Sequence, residues 1–373
     1  MRDVYVLGIG MIKFGRFKDK DVHELAAEAA LLALKDAGMT IKDIQLLASG
    51  NLLQASNMIG QRILQQIGQT GIPVTNVSNA CATGSTAVRE AYFAVGSGEY
   101  DVAMAVGSEQ MGKAGLLGGG GSGESVEGIL GSGLMPAVFG QAGVEHMRQY
   151  GTKAEHFAKI SVKNHKHSVK NPLSQYQVEV SLEDVMSARM VAYPNTLYMC
   201  CPTGDGAAAA IIGSEAMVKK FARKPVKIAC SVLTSDPWTP RDLTMPDVNT
   251  LTRNAAKQAY ERAAVGPEDL DLVELHDCFA TAELVHYDNL GLCRPGGAVD
   301  EGRFEHGGAT PVNVSGGLLS KGHPLGATGV ANIYEIVTHL RGEAGARQVE
   351  DAKVGMAHVI GLGSACTIHI LTA

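Results

Sequence analysis

The chain has 373 residues, with 32 Lys and Arg against 38 Asp and Glu and a formal net charge of −6. Hydrophobic residues make up 45% and charged residues 19%, which supplies a sizeable core and excludes a disordered chain. No basic run offers a footprint for nucleic acid, no stretch of about 18 apolar residues offers a membrane span, and seven scattered cysteines without a C-x-x-C pair offer neither a disulfide framework nor structural zinc.

The N-terminus runs directly into a strand-like stretch, Val4 to Gly8, without the pattern of a signal peptide, so the expected setting is a reduced cytoplasm. An Ala-rich helix follows over residues 23–34 and ends at Ala37-Gly38, where the glycine suits a left-handed cap. Asp43 then leads into the apolar run Ile44 to Leu47. The same order recurs later: an Ala-rich helix over 252–264, Gly266, Asp271, and the apolar run Leu272 to Leu275.

The next segments match as well. Pro73-Val74-Thr75-Asn76-Val77-Ser78 answers Pro311-Val312-Asn313-Val314-Ser315, each read as a short strand before a helix. One helix begins after Cys81; the other begins after His323 and carries Ile333, Ile336, Val337 and Leu340 on one face. Strands at 100–107 and 353–360 follow these helices. A repeat this long implies two similar α/β halves packed on each other. Residues 1–111 with 196–225 form the expected N-terminal half, 226–373 the C-terminal half, and 112–195 an inserted loop or lid region with a glycine tract at 118–123 and helices bearing Lys and His over 145–170. His165-Lys166-His167 is expected on a solvent-exposed helix face.

Three places carry chemistry. Cys81, in Ser78-Asn79-Ala80-Cys81-Ala82-Thr83-Gly84-Ser85, sits at the mouth of a helix whose N–H groups and dipole favour a thiolate. His323, in Lys321-Gly322-His323-Pro324-Leu325-Gly326-Ala327-Thr328-Gly329, occupies the equivalent loop of the second half, so a pseudo-twofold axis lets the two loops face each other. A Cys–His pair is a standard way to activate a thiol. In His276-Asp277-Cys278-Phe279, residues 276 and 278 share a side if extended. By themselves these residues also admit a buried small Cys and core histidines. Two thiols and two imidazoles admit a metal site too, although the short ligand spacing usual in such sites is missing. Gly8-Ile9-Gly10 and Gly361-Leu362-Gly363 lack the third glycine of a dinucleotide fingerprint. Cys200, Cys201, Cys230, Cys293 and Cys366 are read as structural.

With these motifs in this order, together with Glu145-His146-Met147-Arg148-Gln149-Tyr150-Gly151-Thr152 and Cys200-Cys201-Pro202-Thr203-Gly204-Asp205-Gly206-Ala207, the whole chain resembles the thiolase superfamily, and within it the sterol-carrier-protein type. The resemblance implies a five-layered αβαβα fold of two halves and a homodimer. It implies an acyltransferase that cleaves a 3-oxoacyl-CoA with CoA, or runs the reverse Claisen condensation, with no cofactor and no metal. Cys81 would be the acyl acceptor, His323 its activator, and His276 the holder of an oxygen near the enolate. Cys278 would be the acid/base that most thiolases place in a C-terminal Cys-x-Gly motif. Here that region reads Met356-Ala357-His358-Val359-Ile360-Gly361-Leu362-Gly363, without a cysteine. Backbone N–H groups at Cys81 and near Gly361 are the candidate oxyanion hole. Some relatives of this type work with a small zinc-ribbon and OB-fold subunit, and none of the implied partners is nucleic acid or membrane. The competing expectations are a thiolase-like retro-aldolase acting on a CoA ester and a non-catalytic scaffold subunit.

Overall fold

The computed structural model describes residues 1–112, 134–221, 224–237, 248–294 and 302–373. The glycine tract at 118–123 lies outside them. Among the described residues no helix is long and apolar enough to cross a membrane.

Nine strands form the main sheet: β1 Val4–Met11, β2 Leu46–Gly50, β3 Val74–Val77, β4 Val102–Gln110, β5 Asp205–Ser214, β6 Val226–Thr234, β7 Leu272–Glu274, β8 Val354–Gly361 and β9 Ala365–Thr372. Their order is β3-β2-β4-β5-β1-β6-β9-β8-β7. Within the first half the order is third, second, fourth, fifth, first. Counted from the far edge, the second half repeats it if the single parallel bridge Val273↔Val312 stands for its third strand. The halves meet where β1 pairs antiparallel with β6 at Tyr5↔Lys227 and Val6↔Val226.

The principal helices are α1 Val22–Ala37, α2 Ile59–Ile67, α3 Thr83–Gly96, α4 Met135–Tyr150, α5 Ala154–Val169, α6 Asn249–Ala263, α7 Ala280–Asn289 and α8 Thr328–Leu340. Helices α1 and α2 cover the first half-sheet, and α6 covers β6 and β9 with α7 packed on it. Helices α3 and α8 touch each other and strands of both halves, which makes them the middle of five layers, αβαβα. This is the expected architecture.

Local sequence explains the close packing. Ala26, Ala29, Ala30, Ala33 and Ala37 form the buried face of α1. They leave room for β1 to press its glycines onto the helix: a Cβ on Gly8 would lie 2.5 Å from the Ala33 carbonyl oxygen, and one on Gly10 2.3 Å from that of Ala29. Gly8-Ile9-Gly10 is therefore a helix–strand contact. The α1 cap is also as expected, with Gly38 at φ 65° and the Met39 N–H bonded to the Leu34 carbonyl.

The second copy departs in two places. Its helix is capped by Ala264, at φ 54°, two residues before Gly266. No strand forms over 311–315 beyond the single bridge, because Asn313 takes φ 55° and its side chain is tied to two other segments. Its Oδ1 accepts the Leu275 N–H at 2.9 Å and its Nδ2 donates to Glu283 at 2.8 Å.

The expected solvent face of α5 is also corrected. His165 and His167 are buried, while Lys166 alone of the three reaches solvent. His167 Nδ1 bonds the Asn313 carbonyl at 3.0 Å and its Nε2 accepts the His306 N–H at 3.0 Å. On the same helix Lys163 is buried against Glu283 and donates to the Val312 carbonyl at 2.8 Å. A helix that sequence polarity assigns to the surface is thus sealed onto the second half through paired polar groups.

Candidate active site

Cys81 stands between β3 and α3 on a strained turn. Ala80 has φ 48°, a left-handed conformation unusual for a residue with a Cβ. Local hydrogen bonds hold it there: Thr83 Oγ1 donates to the Ala80 carbonyl at 2.6 Å and accepts the Asn79 N–H at 2.8 Å, and the Ala82 N–H returns to the Asn79 carbonyl at 3.0 Å. Gly361, at the end of β8, is pressed onto this turn; a Cβ there would lie 2.7 Å from the Asn79 carbonyl oxygen. The candidate oxyanion position is therefore in van der Waals contact with the nucleophile loop.

The two halves do bring their matched loops together. One ligating atom from each of Cys81, His276 and His323 lies within 4.8 Å of the others, and all three residues are buried. The His276 and His323 rings meet edge to face with centroids 5.1 Å apart. Cys278 is outside that 4.8 Å group but beside it, since a thiolate there would be opposed by charge on Cys81 and Cys201. Cys201, read as structural in the sequence, belongs to the same sulfur group: its N–H donates to the Cys278 carbonyl at 3.0 Å.

The tautomer of His323 follows from its neighbours. Thr328 Oγ1 spends its proton on the Pro324 carbonyl at 3.0 Å, so it can only accept from His323 Nδ1 at 2.7 Å. Nδ1 therefore carries the ring proton and Nε2 is bare. Nε2 is also buried without a partner among the described residues, as is His276 Nδ1. Burial, with the neighbouring His276 and Lys321, holds the His323 pKa well below the usual imidazole range. Burial alone takes His276 down to about 3.

The resting charge on Cys81 corrects the expectation of a thiolate. Burial, reinforced by the nearby Glu109 carboxylate, pushes the thiol up to about 12. Desolvation outweighs the helix terminus, so the resting pair is a neutral thiol beside a neutral, proton-accepting imidazole. Glu109 is itself raised to about 6 by burial, against backbone N–H donors that include Leu52 at 2.9 Å.

Several residues that the sequence left unnoticed set this geometry. Asp277 is buried and accepts from Asn164 Nδ2 at 2.8 Å and from the Leu318 N–H at 2.7 Å, tying the 276–278 loop to α5 and to the segment before His323. Below His323, Lys321 Nζ pairs with Glu274 at 3.2 Å, and the Ser315 N–H meets the same carboxylate at 3.0 Å. His358, in the region without the usual cysteine, accepts the His276 N–H on Nδ1 at 3.4 Å and faces His286 across 4.6 Å. A histidine amid the apolar run of β8 was the available signal. His146, by contrast, is tied between Thr152 at 2.8 Å and Asp288 at 3.0 Å, outside the cluster.

Known proteins resemble the chain along its whole length. The N-terminal domain of thiolase matches residues 4–191, and a thiolase C-terminal domain-like family matches residues 238–373. The chain is 43% identical over 393 residues to sterol carrier protein 2 of Homo sapiens, covering 99% of this chain and 72% of that protein. It is 38% identical to an acetyl-CoA acetyltransferase of Methanothermobacter thermautotrophicus, over 100% of both chains. It is also 38% identical to the benzoylsuccinyl-CoA thiolase subunit BbsB of Thauera aromatica, over 97% of this chain and 95% of that one. In fold it is similar to the Ltp2-ChsH2(DUF35) aldolase, with a TM-score of 0.86 at 24% identity over 100% of this chain and 98% of that one. A human mitochondrial 3-ketoacyl-CoA thiolase in complex with CoA gives 0.76 at 20% identity, over 100% and 98%.

Proposed function

Since the chain belongs to the thiolase family, we propose that it is a 3-oxoacyl-CoA thiolase working through an S-acyl intermediate on Cys81. The observation that carries this reading is the convergence of Cys81, His276 and His323 from both halves within 4.8 Å. His323 Nε2, bare and without a partner among the described residues, accepts the thiol proton as Cys81 Sγ attacks the 3-keto carbon of the substrate. The bond between C2 and C3 breaks, the acyl group stays on sulfur, and the electron pair moves onto the thioester as an enolate. Burial disfavours an isolated imidazolium on His323, so its protonation is coupled to the negative charge that develops on the substrate oxygens during attack and cleavage. His276 shares the enolate oxygen with His323, and N–H groups at Cys81 and Gly361 take the keto oxygen.

Cys278 then gives its proton to C2, which releases the shortened acyl-CoA. A second CoA thiol enters, loses its proton to the Cys278 thiolate and takes the acyl group from Cys81, whose sulfur recovers its proton from His323. The same steps in reverse are a Claisen condensation. Two acid/base groups beside a covalent nucleophile suit this ping-pong order. The working unit in this reading is a cytoplasmic homodimer that needs no cofactor beyond CoA as substrate. A small partner subunit remains part of the proposal, in keeping with a fold neighbour whose name joins Ltp2 to ChsH2(DUF35).

A panel of 3-oxoacyl-CoA esters incubated with free CoA tests the reading by product identity. Thiolysis consumes one CoA and yields two acyl-CoA products. A retro-aldol cleavage of a 3-hydroxyacyl-CoA without CoA consumption, leaving the 3-oxoacyl esters untouched, would replace thiolysis with the aldolase reading.

A further inference from the structure

The three groups at the centre are also a ligand set. The shortage of short-spaced ligand pairs in the sequence argues against metal, yet the fold gathers Cys81, His276 and His323 from three distant segments to within 4.8 Å. We propose that this cluster is a three-ligand site for a borderline-soft divalent cation such as Zn2+, and that its occupation blocks acyl transfer because the ion takes the sulfur that the substrate needs.

Geometry and donor chemistry both favour such an ion. Bond lengths of about 2.0–2.3 Å put tetrahedral ligand atoms about 3.3–3.6 Å apart. The present separation therefore needs at most about 1.5 Å of closure, within the reach of small side-chain rotations. Among the described residues His323 Nε2 and His276 Nδ1 are buried without a hydrogen-bond partner, and the former is a bare lone pair by the tautomer argument. The thiol proton leaves as the ion binds: Cys81–SH and Zn2+ give a Cys81–S–Zn bond and a proton released to solvent, with no change of oxidation state. One sulfur and two nitrogens suit Zn2+ and not Mg2+ or Ca2+, which take oxygen ligands. Three protein ligands leave a fourth position open to water or an entering thiol.

Binding does not depend on the assigned reaction; only the inhibition does. Metal-free protein is titrated with Zn2+ by calorimetry in buffers of different ionisation heats, and separately with Co2+ by absorption. The expected result is about one tight ion per chain with about one proton released. Cobalt should give intense bands of a four-coordinate thiolate complex. Cys81→Ser and His276→Ala should each weaken binding by about tenfold or more, and iodoacetamide treatment of Cys81 in the wild-type protein should do the same without any question of misfolding. Thiolase activity should fall to about a tenth at a free Zn2+ concentration ten times the dissociation constant and return on adding chelator. Zinc binding unchanged by alkylation and by both substitutions would place the ion elsewhere and overturn the proposal. Binding at Cys81 in a protein that shows no thiolysis would leave the metal site standing and remove the thiolase reading instead.

Discussion

Thr328→Val tests the assignment of His323 as proton acceptor. The substitution keeps the shape of the side chain but removes the oxygen that accepts the Nδ1 proton at 2.7 Å. The Pro324 carbonyl is not orphaned, because it still receives the N–H groups of Ala327 and Thr328 at 2.9 and 3.0 Å. The imidazole then has two options in a buried site. It keeps an unsatisfied Nδ1–H, at about 1–3 kcal/mol, or it moves the proton to Nε2 and can no longer accept from Cys81. Carried into the transition state, that range corresponds to a loss of about 5- to 150-fold in kcat/KM. Thr328→Ser restores the acceptor and should recover most of the rate. Steady-state thiolysis with denaturant unfolding on each variant separates catalysis from stability. A kcat/KM for Thr328→Val within about twofold of the parent would refute the tautomer argument and the role built on it.

Cys278→Ala should lower kcat by about 10²- to 10⁴-fold, the usual range for a lost acid/base group, while Cys81 still reacts with iodoacetamide; a smaller loss in stopped-flow turnover would move the acid/base role to another group. Gly361→Ala should drive a methyl to 2.7 Å from the Asn79 carbonyl. That should cost about 1–3 kcal/mol of stability by urea titration together with most of the activity, and a neutral result would separate β8 from the nucleophile loop. Acid should destabilise the fold. His167 and His276 are held at about 3 and His369 at about 4, mainly by burial, so the unfolded chain takes up protons first as pH falls below about 6.5. Their stabilisation is complete above that pH and lost progressively toward the folded values. Between about pH 7 and 5 each of these histidines costs stability, His286, His323 and His358 act in the same direction, and Glu109 offsets only a small part, so the net change is a loss of roughly several kcal/mol. An unchanged urea midpoint over that interval would contradict it.

Much of the architecture was legible because the repeat is written in side-chain pattern. The alanines of α1, Gly38 and the paired loops at Cys81 and His323 all act locally or by symmetry. The Asn313 turn was not legible, since its left-handed backbone depends on Leu275 and Glu283, distant in sequence. The same holds for α5: His165 and His167 read as surface residues until the partners that bury them are known. Local reasoning also erred on Cys81, where the helix terminus is visible in sequence but the burial and Glu109 that oppose a thiolate are not. Cys201 and His358 entered the site neighbourhood through long-range pairing that no spacing rule records.

The most direct measurement is rapid quenching of the enzyme with a reactive 3-oxoacyl-CoA in the absence of free CoA, followed by mass spectrometry of its peptides. The account predicts the shortened acyl group in thioester linkage on Cys81, with release of one equivalent of the second acyl-CoA product. Turnover with Cys81 unmodified, or the acyl group found on Cys278 or Cys201 instead, would contradict it.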